Sequence, residues 1–136
     1  MSAETEVRRL RNELTKLRDQ IARESAKISV ARAKAAKARA AAAKATSPTT
    51  ARSRQAEADR EEKAASEAER RRAQLEAKAA KVEADLYKAQ NRLEAERAAA
   101  QKRALAEIQA ETSQRRRQFE PGGLMAASAP VVPQFG

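Results

Sequence analysis

The sequence predicts an all-α fold, a long antiparallel two-helix coiled-coil hairpin with a disordered C-terminal tail. Three observations lead to it. Apolar residues recur at spacings of three and four in two long segments, Pro48 interrupts an otherwise helical composition, and large side chains match when the chain folds back there. Alanine accounts for 35 of the 136 residues, and the only aromatic residues are one Tyr and two Phe. The chain can therefore fill a narrow seam between helices but no wide core.

The first predicted helix covers residues 4–46. Its seam begins with large apolar side chains and continues with alanines, at Val7, Leu10, Leu14, Leu17, Ile21, Ile28, Ala31, Ala35, Ala38, Ala42 and Ala45. The spacing is that of the a and d positions of a heptad repeat, and only Glu24 departs from the apolar pattern. Every basic residue from 27 to 44 falls outside the seam. This pattern predicts a helix with one face packed against a partner.

The interruption predicts a hairpin turn at Ser47, Pro48, Thr49 and Thr50. Proline inside a helix removes a backbone hydrogen bond and clashes with the preceding turn, at a cost of about 3 kcal/mol or more. At the first position of a new helix it costs nothing, because that N–H has no partner within the helix. Ser47 before it is a favourable N-cap residue, with its hydroxyl as the predicted acceptor.

The second predicted helix covers residues 48–117 and has its own seam, at Ala51, Ala58, Ala65, Ala68, Leu75, Ala79, Val82, Leu86, Ala89 and Leu93. Beyond Ala100 the pattern shifts, so that Ala104 or Leu105 and then Ile108 continue it. Residues 118–136 contain all the glycines and three of the four prolines, which predicts a flexible tail or linker.

Folding helix two back on helix one brings together positions whose numbers sum to roughly 97. Leu14 then faces Val82, and Leu10 approaches Leu86. The same pairing predicts cross-helix ion pairs between two arginines and two glutamates, Arg32 and Arg39 with Glu62 and Glu69. Because helix two is longer than helix one, its far end is left without a partner in the chain. We expect self-association, or docking on another coiled-coil or effector chain, through Leu86, Leu93, Leu105 and Ile108.

Positive charge concentrates around the turn. The chain carries a formal net charge of +10, and residues 25–56 hold eight basic side chains and no acidic one. Nucleic acid or another anionic partner could contact this region through Lys34, Lys37, Arg39, Lys44, Arg52 and Arg54. We favour the alternative of a solvated helix face partly neutralised by glutamates, because no aromatic residue is interleaved to stack on bases.

The residue inventory predicts no enzyme activity, no cofactor and no metal site. The sequence has no Cys and no His, which excludes thiol and imidazole catalysis and the usual zinc sites. It has no glycine-rich phosphate loop, and its carboxylates are spaced for ion pairs along helix surfaces. No apolar run approaches the roughly 20 residues of a membrane span, and the N-terminus lacks the apolar core of a signal peptide. We expect a cytoplasmic protein with no membrane span.

One segment resembles a known family. Residues 44–97 contain the turn Ser47-Pro48-Thr49-Thr50, then a helix rich in Arg, Lys and Glu, a stretch from Leu75 to Lys78, and a Leu-and-Gln segment from Leu86 to Leu93. In these features the segment resembles the coiled-coil region that precedes the TIR domain in some bacterial TIR proteins. There the TIR domain cleaves NAD in antiphage defence, and the helical region helps to assemble or regulate it.

The resemblance implies a role in assembly and no chemistry of its own. No βαβ pattern follows Pro121, so the NAD-cleaving glutamate of the TIR domain has no counterpart here. The chain is then either a stand-alone assembly partner or the helical module of a larger effector. We expect a non-catalytic assembly or adaptor module. The alternatives are a basic nucleic-acid-binding helical protein and a filament or scaffold component.

Overall fold

A computed structural model describes the backbone of residues 2–127 and the side chains of residues 2–118. Within that part the chain forms two helices, α1 (Ala3–Lys44) and α2 (Pro48–Ala127), and no strand. The predicted all-α class is confirmed. The chain divides into two units between Asn91 and Arg92. The first unit contains α1 and the part of α2 that packs against it, and the second contains the rest of α2.

Helix α1 begins with a side-chain cap. The Ser2 hydroxyl accepts a hydrogen bond from the Thr5 backbone N–H at 3.1 Å, and the Glu6 N–H bonds to the Ser2 carbonyl at 3.0 Å. Glu4 and Glu6 place negative charge in the first turn, where the helix dipole favours it. The helix ends at Lys44 because Ala45 leaves the helical conformation, with φ −68° and ψ 137°.

The two helices pack as an antiparallel hairpin, as the sequence predicts. Cross-helix pairs fix the direction, because partners of rising number in α1 have falling numbers in α2. Arg18 pairs with Glu83, Arg32 with Glu69 and Arg39 with Glu62, at 3.8, 2.6 and 3.4 Å. The last two are the ion pairs expected from the sequence, and the distances confirm them.

Buried residues follow one stripe on each helix. In α1 they are Ala3, Val7, Leu10, Leu14, Ile28, Ala31, Ala35 and Ala38, and in α2 they are Ala58, Ala65, Ala68, Ala79, Val82 and Ala89. The two stripes match layer by layer when the residue numbers of a pair sum to about 96. Leu14 and Val82 thus share a layer, as do Ala38 and Ala58.

Side-chain size is graded along the seam. Layers far from the turn contain Val7, Leu10 and Leu14, whereas layers near the turn contain alanine. Ala35 and Ala58 are fully buried although each has only a methyl side chain. Ala38 and Ala58 share a layer, and with only a methyl group on each side the helix backbones must approach closely for both to be buried. The hairpin is therefore held together near its turn by backbone proximity and further away by bulky side chains.

Helix α2 extends ten residues beyond the predicted end at Arg117, to Ala127. The prediction of a tail from residue 118 relied on Pro121 and the glycines after it. Proline removes only its own N–H, here the bond to the Arg117 carbonyl, and Leu124, Met125, Ala126 and Ala127 are good helix formers. Residues 128–136 of the predicted disordered tail lie outside the described residues.

Candidate interaction surfaces

The turn lies slightly earlier than predicted. Ala45, Thr46 and Ser47 connect the helices, while Pro48, Thr49 and Thr50 form the first turn of α2. The Ala51 N–H bonds to the Ser47 carbonyl at 3.0 Å, and among the described hydrogen bonds none reaches the Ser47 hydroxyl. Ser47 thus starts the helix through its backbone, in place of the predicted side-chain cap. Pro48 occupies the first helical position, where proline is favoured.

A polar cluster interrupts the apolar seam about halfway along the hairpin. Arg71 Nε donates a hydrogen bond to Glu24 Oε1 at 3.0 Å, and Lys27 Nζ donates to Glu24 Oε2 at 3.4 Å. Beside this pair, Arg72 donates to the Ser25 hydroxyl at 3.3 Å. The Glu24 side chain is only 12% exposed, because it occupies a seam position between the two helices.

The environment of Glu24 favours its ionised form. The hydrogen bond from Arg71 is the largest cause that lowers the pKa of Glu24 below its ordinary value. Partial removal from water acts in the opposite direction, and Lys27 lowers the pKa further. The cluster is therefore a charged contact between helices that replaces one apolar layer.

The sequence pattern contains the signal for this cluster, although its α2 members were not singled out. Glu24 was the one seam position of α1 that broke the apolar pattern. A residue sum of about 96 places Arg72 in its layer, and Arg71 lies beside it. The pairing rule applied to Glu24 therefore indicates Arg71 and Arg72 as its basic neighbours on α2.

The basic residues predicted to contact an anionic partner lie together around the turn. We define the tip as residues 34–56, which contain six basic side chains, all exposed, and no acidic one. They are Lys34, Lys37, Arg39, Lys44, Arg52 and Arg54. Arg39 pairs with Glu62 at 3.4 Å, and Arg54 pairs with Glu57 at 3.0 Å. Both acidic partners come from α2 beyond the tip.

The four residues predicted as a partner interface fall into two groups. Leu86 and Leu93 are half-buried, and Leu86 shares a seam layer with Leu10. Leu105 and Ile108 are exposed by 54% and 58%. Leu86 thus packs largely within the hairpin, and of these four residues Leu105 and Ile108 are the two presented to solvent.

The segment 92–118 differs from the hairpin in its burial. Among the described side chains of this range, every one except Leu93 is exposed. Two other large apolar residues in the described part of the chain are comparably exposed, Val30 at 52% and Tyr87 at 61%, but they lie in the first unit. Leu105 and Ile108 are one helical turn apart and so share a face of α2.

The described residues provide no arrangement for metal binding, since no three Asp, Glu, Cys or His side chains gather there as ligands. A search of the same residues for an apolar helix able to span a bilayer found none. Comparisons of the chain with protein-family models, curated proteins and solved structures found no significant match. The described residues thus present two surfaces for interaction, the tip and the face of Leu105 and Ile108.

Proposed function

We propose that the chain is a non-catalytic coiled-coil assembly module that pairs with a second copy of itself through the segment 92–118. The exposure of Leu105 and Ile108 on one helix face carries this proposal. Helices in water gain most of their stability from packing an apolar face. A second copy offers the same face, so that a two-fold symmetric contact covers the apolar residues of both chains.

Charge favours an antiparallel arrangement of the two segments. Arg115, Arg116 and Arg117 lie near the end of the segment, and a parallel pair would place both arginine triplets side by side. An antiparallel pair in which Leu105 of one copy faces Ile108 of the other separates the triplets by about 28 Å. In that register Arg97 and Glu111 of opposite copies flank the contact with complementary charge.

The expected affinity is modest. Each segment contributes two large apolar side chains at the centre, and full burial of such a side chain is worth about 1.5–3 kcal/mol. Association loses translational and rotational freedom, at a cost of at least about 4 kcal/mol. The net gain is then at most about 8 kcal/mol, so we expect dissociation at micromolar concentrations at the tightest.

The resemblance of residues 44–97 to the helical region before bacterial TIR domains supports the same role. In those proteins the helices assemble or regulate a separate catalytic domain. We propose that this chain is an assembly module of a TIR-type defence system in the bacterial cytoplasm. Catalytic activity would then reside in a partner domain.

Sedimentation of the full chain across about 1–200 µM tests the proposal. The wild type is expected to pass from monomer to dimer, and the Leu105→Glu/Ile108→Glu double variant to remain monomeric, because four carboxylates would meet in the contact. Val30→Glu/Tyr87→Glu is the matched control, with the same change at equally exposed apolar positions of the first unit. A wild type monomeric throughout contradicts the proposal, as does equal loss of association in both variants. A polydisperse series of sizes would instead favour the filament alternative.

Engineered cysteines test the orientation, because the natural sequence contains none. With Leu105 facing Ile108, the next layer pairs Gln101 of one copy with Thr112 of the other. Gln101→Cys and Thr112→Cys chains should form a disulfide when mixed and little when oxidised separately. A parallel pair would give the reverse, with each single-cysteine chain linking to itself.

A further inference from the structure

The tip combines high positive charge with few intramolecular partners. Four of its six cations form no ion pair or hydrogen bond with another described residue, namely Lys34, Lys37, Lys44 and Arg52. Between residues 18 and 32 of α1, by contrast, each basic side chain has a carboxylate within 4 Å, namely Arg18, Arg23, Lys27 and Arg32. Neutralisation by glutamates, favoured from the sequence, thus applies to Arg39 and Arg54 but not to the other four.

Backbone groups add to this positive region. The first turn of α2 contains no acidic residue to offset the partial positive charge of its N–H groups. Lys44 and Arg52 flank this helix start on either side. The tip therefore presents a positive potential that no acidic side chain within residues 34–56 reduces.

The side chains of the tip favour one class of polyanion. Apart from Pro48, residues 34–56 contain no apolar side chain larger than alanine, so nothing is available to insert into a lipid interface. They contain no aromatic residue to stack on unpaired bases. Duplex nucleic acid requires only cations that neutralise its phosphates.

We propose that the tip binds the phosphate backbone of duplex nucleic acid without sequence preference, through Lys34, Lys37, Lys44 and Arg52. Lys34 and Lys44 are about 15 Å apart along α1, so the cations cover a short stretch of duplex. The narrow alanine-lined packing at this end brings the cations of both helices near one another. The proposed contact involves no residue of the segment 92–118 and does not require self-association.

Fluorescence anisotropy with a labelled random-sequence duplex of about 20 base pairs tests the proposal on the full chain. Each neutralised phosphate contributes about −0.9 to the slope of log affinity against log salt, so four contacts give about −3.6. Affinity is expected to fall about 150-fold between 50 and 200 mM salt. Replacing the four residues by glutamine should lower affinity at 50 mM salt at least tenfold and remove most of that slope.

The control changes the same number of charges elsewhere in the hairpin. Lys16, Lys78, Lys81 and Lys88 are exposed and have no ion pair among the described contacts, so their replacement by glutamine gives the same net charge. This control should keep the slope, and circular dichroism should show both variants helical. Equal losses in the two variants would overturn the proposal, because net charge alone would then explain binding. Salt-independent binding, or tighter binding to vesicles containing phosphatidylserine than to duplex at equal salt, would also overturn it.

Discussion

Glu24 occupies a seam position that alanine, leucine or isoleucine fills in most other layers of α1. A carboxylate there requires a partner, because a charge withdrawn from water without one is costly. Arg71 and Lys27 supply it, and Arg72 bonds to Ser25 beside it. Polar residues at seam positions of coiled coils commonly specify one alignment of the helices at some cost in stability. We infer that the cluster specifies the alignment of α1 with α2.

Substituting Glu24→Gln should reduce stability at neutral pH and have little effect in acid. The folded-state pKa of Glu24 is lowered, so its carboxylate stabilises the fold fully above the unfolded glutamate pKa of about 4.3. That contribution disappears as pH falls through the lower, folded-state pKa. Urea unfolding of wild type and variant at pH 7 and near pH 2 measures the difference.

Glu13→Gln is the appropriate comparison, because Glu13 is exposed and pairs with Arg9 within α1 at 3.5 Å. Exposed pairs of this kind contribute little. A Glu24→Gln effect of the same size at both pH values would show that the residue acts through packing and not through charge.

Pro48 separates two segments whose composition would otherwise favour one continuous helix. Ala45 has extended backbone angles, and residues before proline are disfavoured in the helical region, which keeps Ser47 out of it. The residues before the turn are mostly alanine and lysine, and those after it include alanine and arginine. All three residue types have high helix propensity. We therefore expect Pro48 to determine whether α2 folds back on α1 or continues it.

Pro48→Ala should favour a continuous helix and an extended or domain-swapped dimer. The substitution removes a penalty of about 3 kcal/mol against helix at this position, which is a shift of roughly a hundredfold in the equilibrium. Sedimentation velocity should detect a larger and more elongated species, whereas Thr49→Ala should behave as wild type. Unchanged sedimentation of the proline variant would show that Ala45, Thr46 and Ser47 maintain the turn by themselves.

The heptad pattern and one proline were enough to predict the fold class, the hairpin and the pairing of its helices. The pairing could be predicted because each seam has one segment of large residues and one segment of alanines. Folding the chain back at Pro48 pairs Leu14 with Val82 and alanine with alanine. The end of α2 could not be predicted the same way. Pro121 and the glycines indicate a break by local propensity, and only the conformation of the surrounding turns decides whether a helix tolerates them.

The sequence predicted which residues belong to each of the two surfaces. It did not predict how exposed each residue is or whether it has a partner within the chain. The six cations of the tip could be identified from charge alone. The pairing of Arg39 with Glu62 followed from the predicted fold-back, but that Lys34, Lys37, Lys44 and Arg52 lack a carboxylate partner among the described residues is known only from the structure. Likewise, Leu86 was expected both to approach Leu10 and to contact a partner, and the structure shows it half-buried, whereas Leu105 is exposed by 54%.

The grading of side-chain size along the seam has a consequence for how the hairpin opens. Alanine layers near the turn bury far less apolar surface than the layers of Leu10, Leu14 and Ile28, so local opening requires least free energy there. Backbone amides of residues 38–44 and 51–58 should exchange with deuterium at least tenfold faster than those of residues 14–28 and 68–82. Uniform exchange along the hairpin, measured by mass spectrometry, would contradict this. The end that carries the most positive charge would then also be the end that reshapes most readily around a partner.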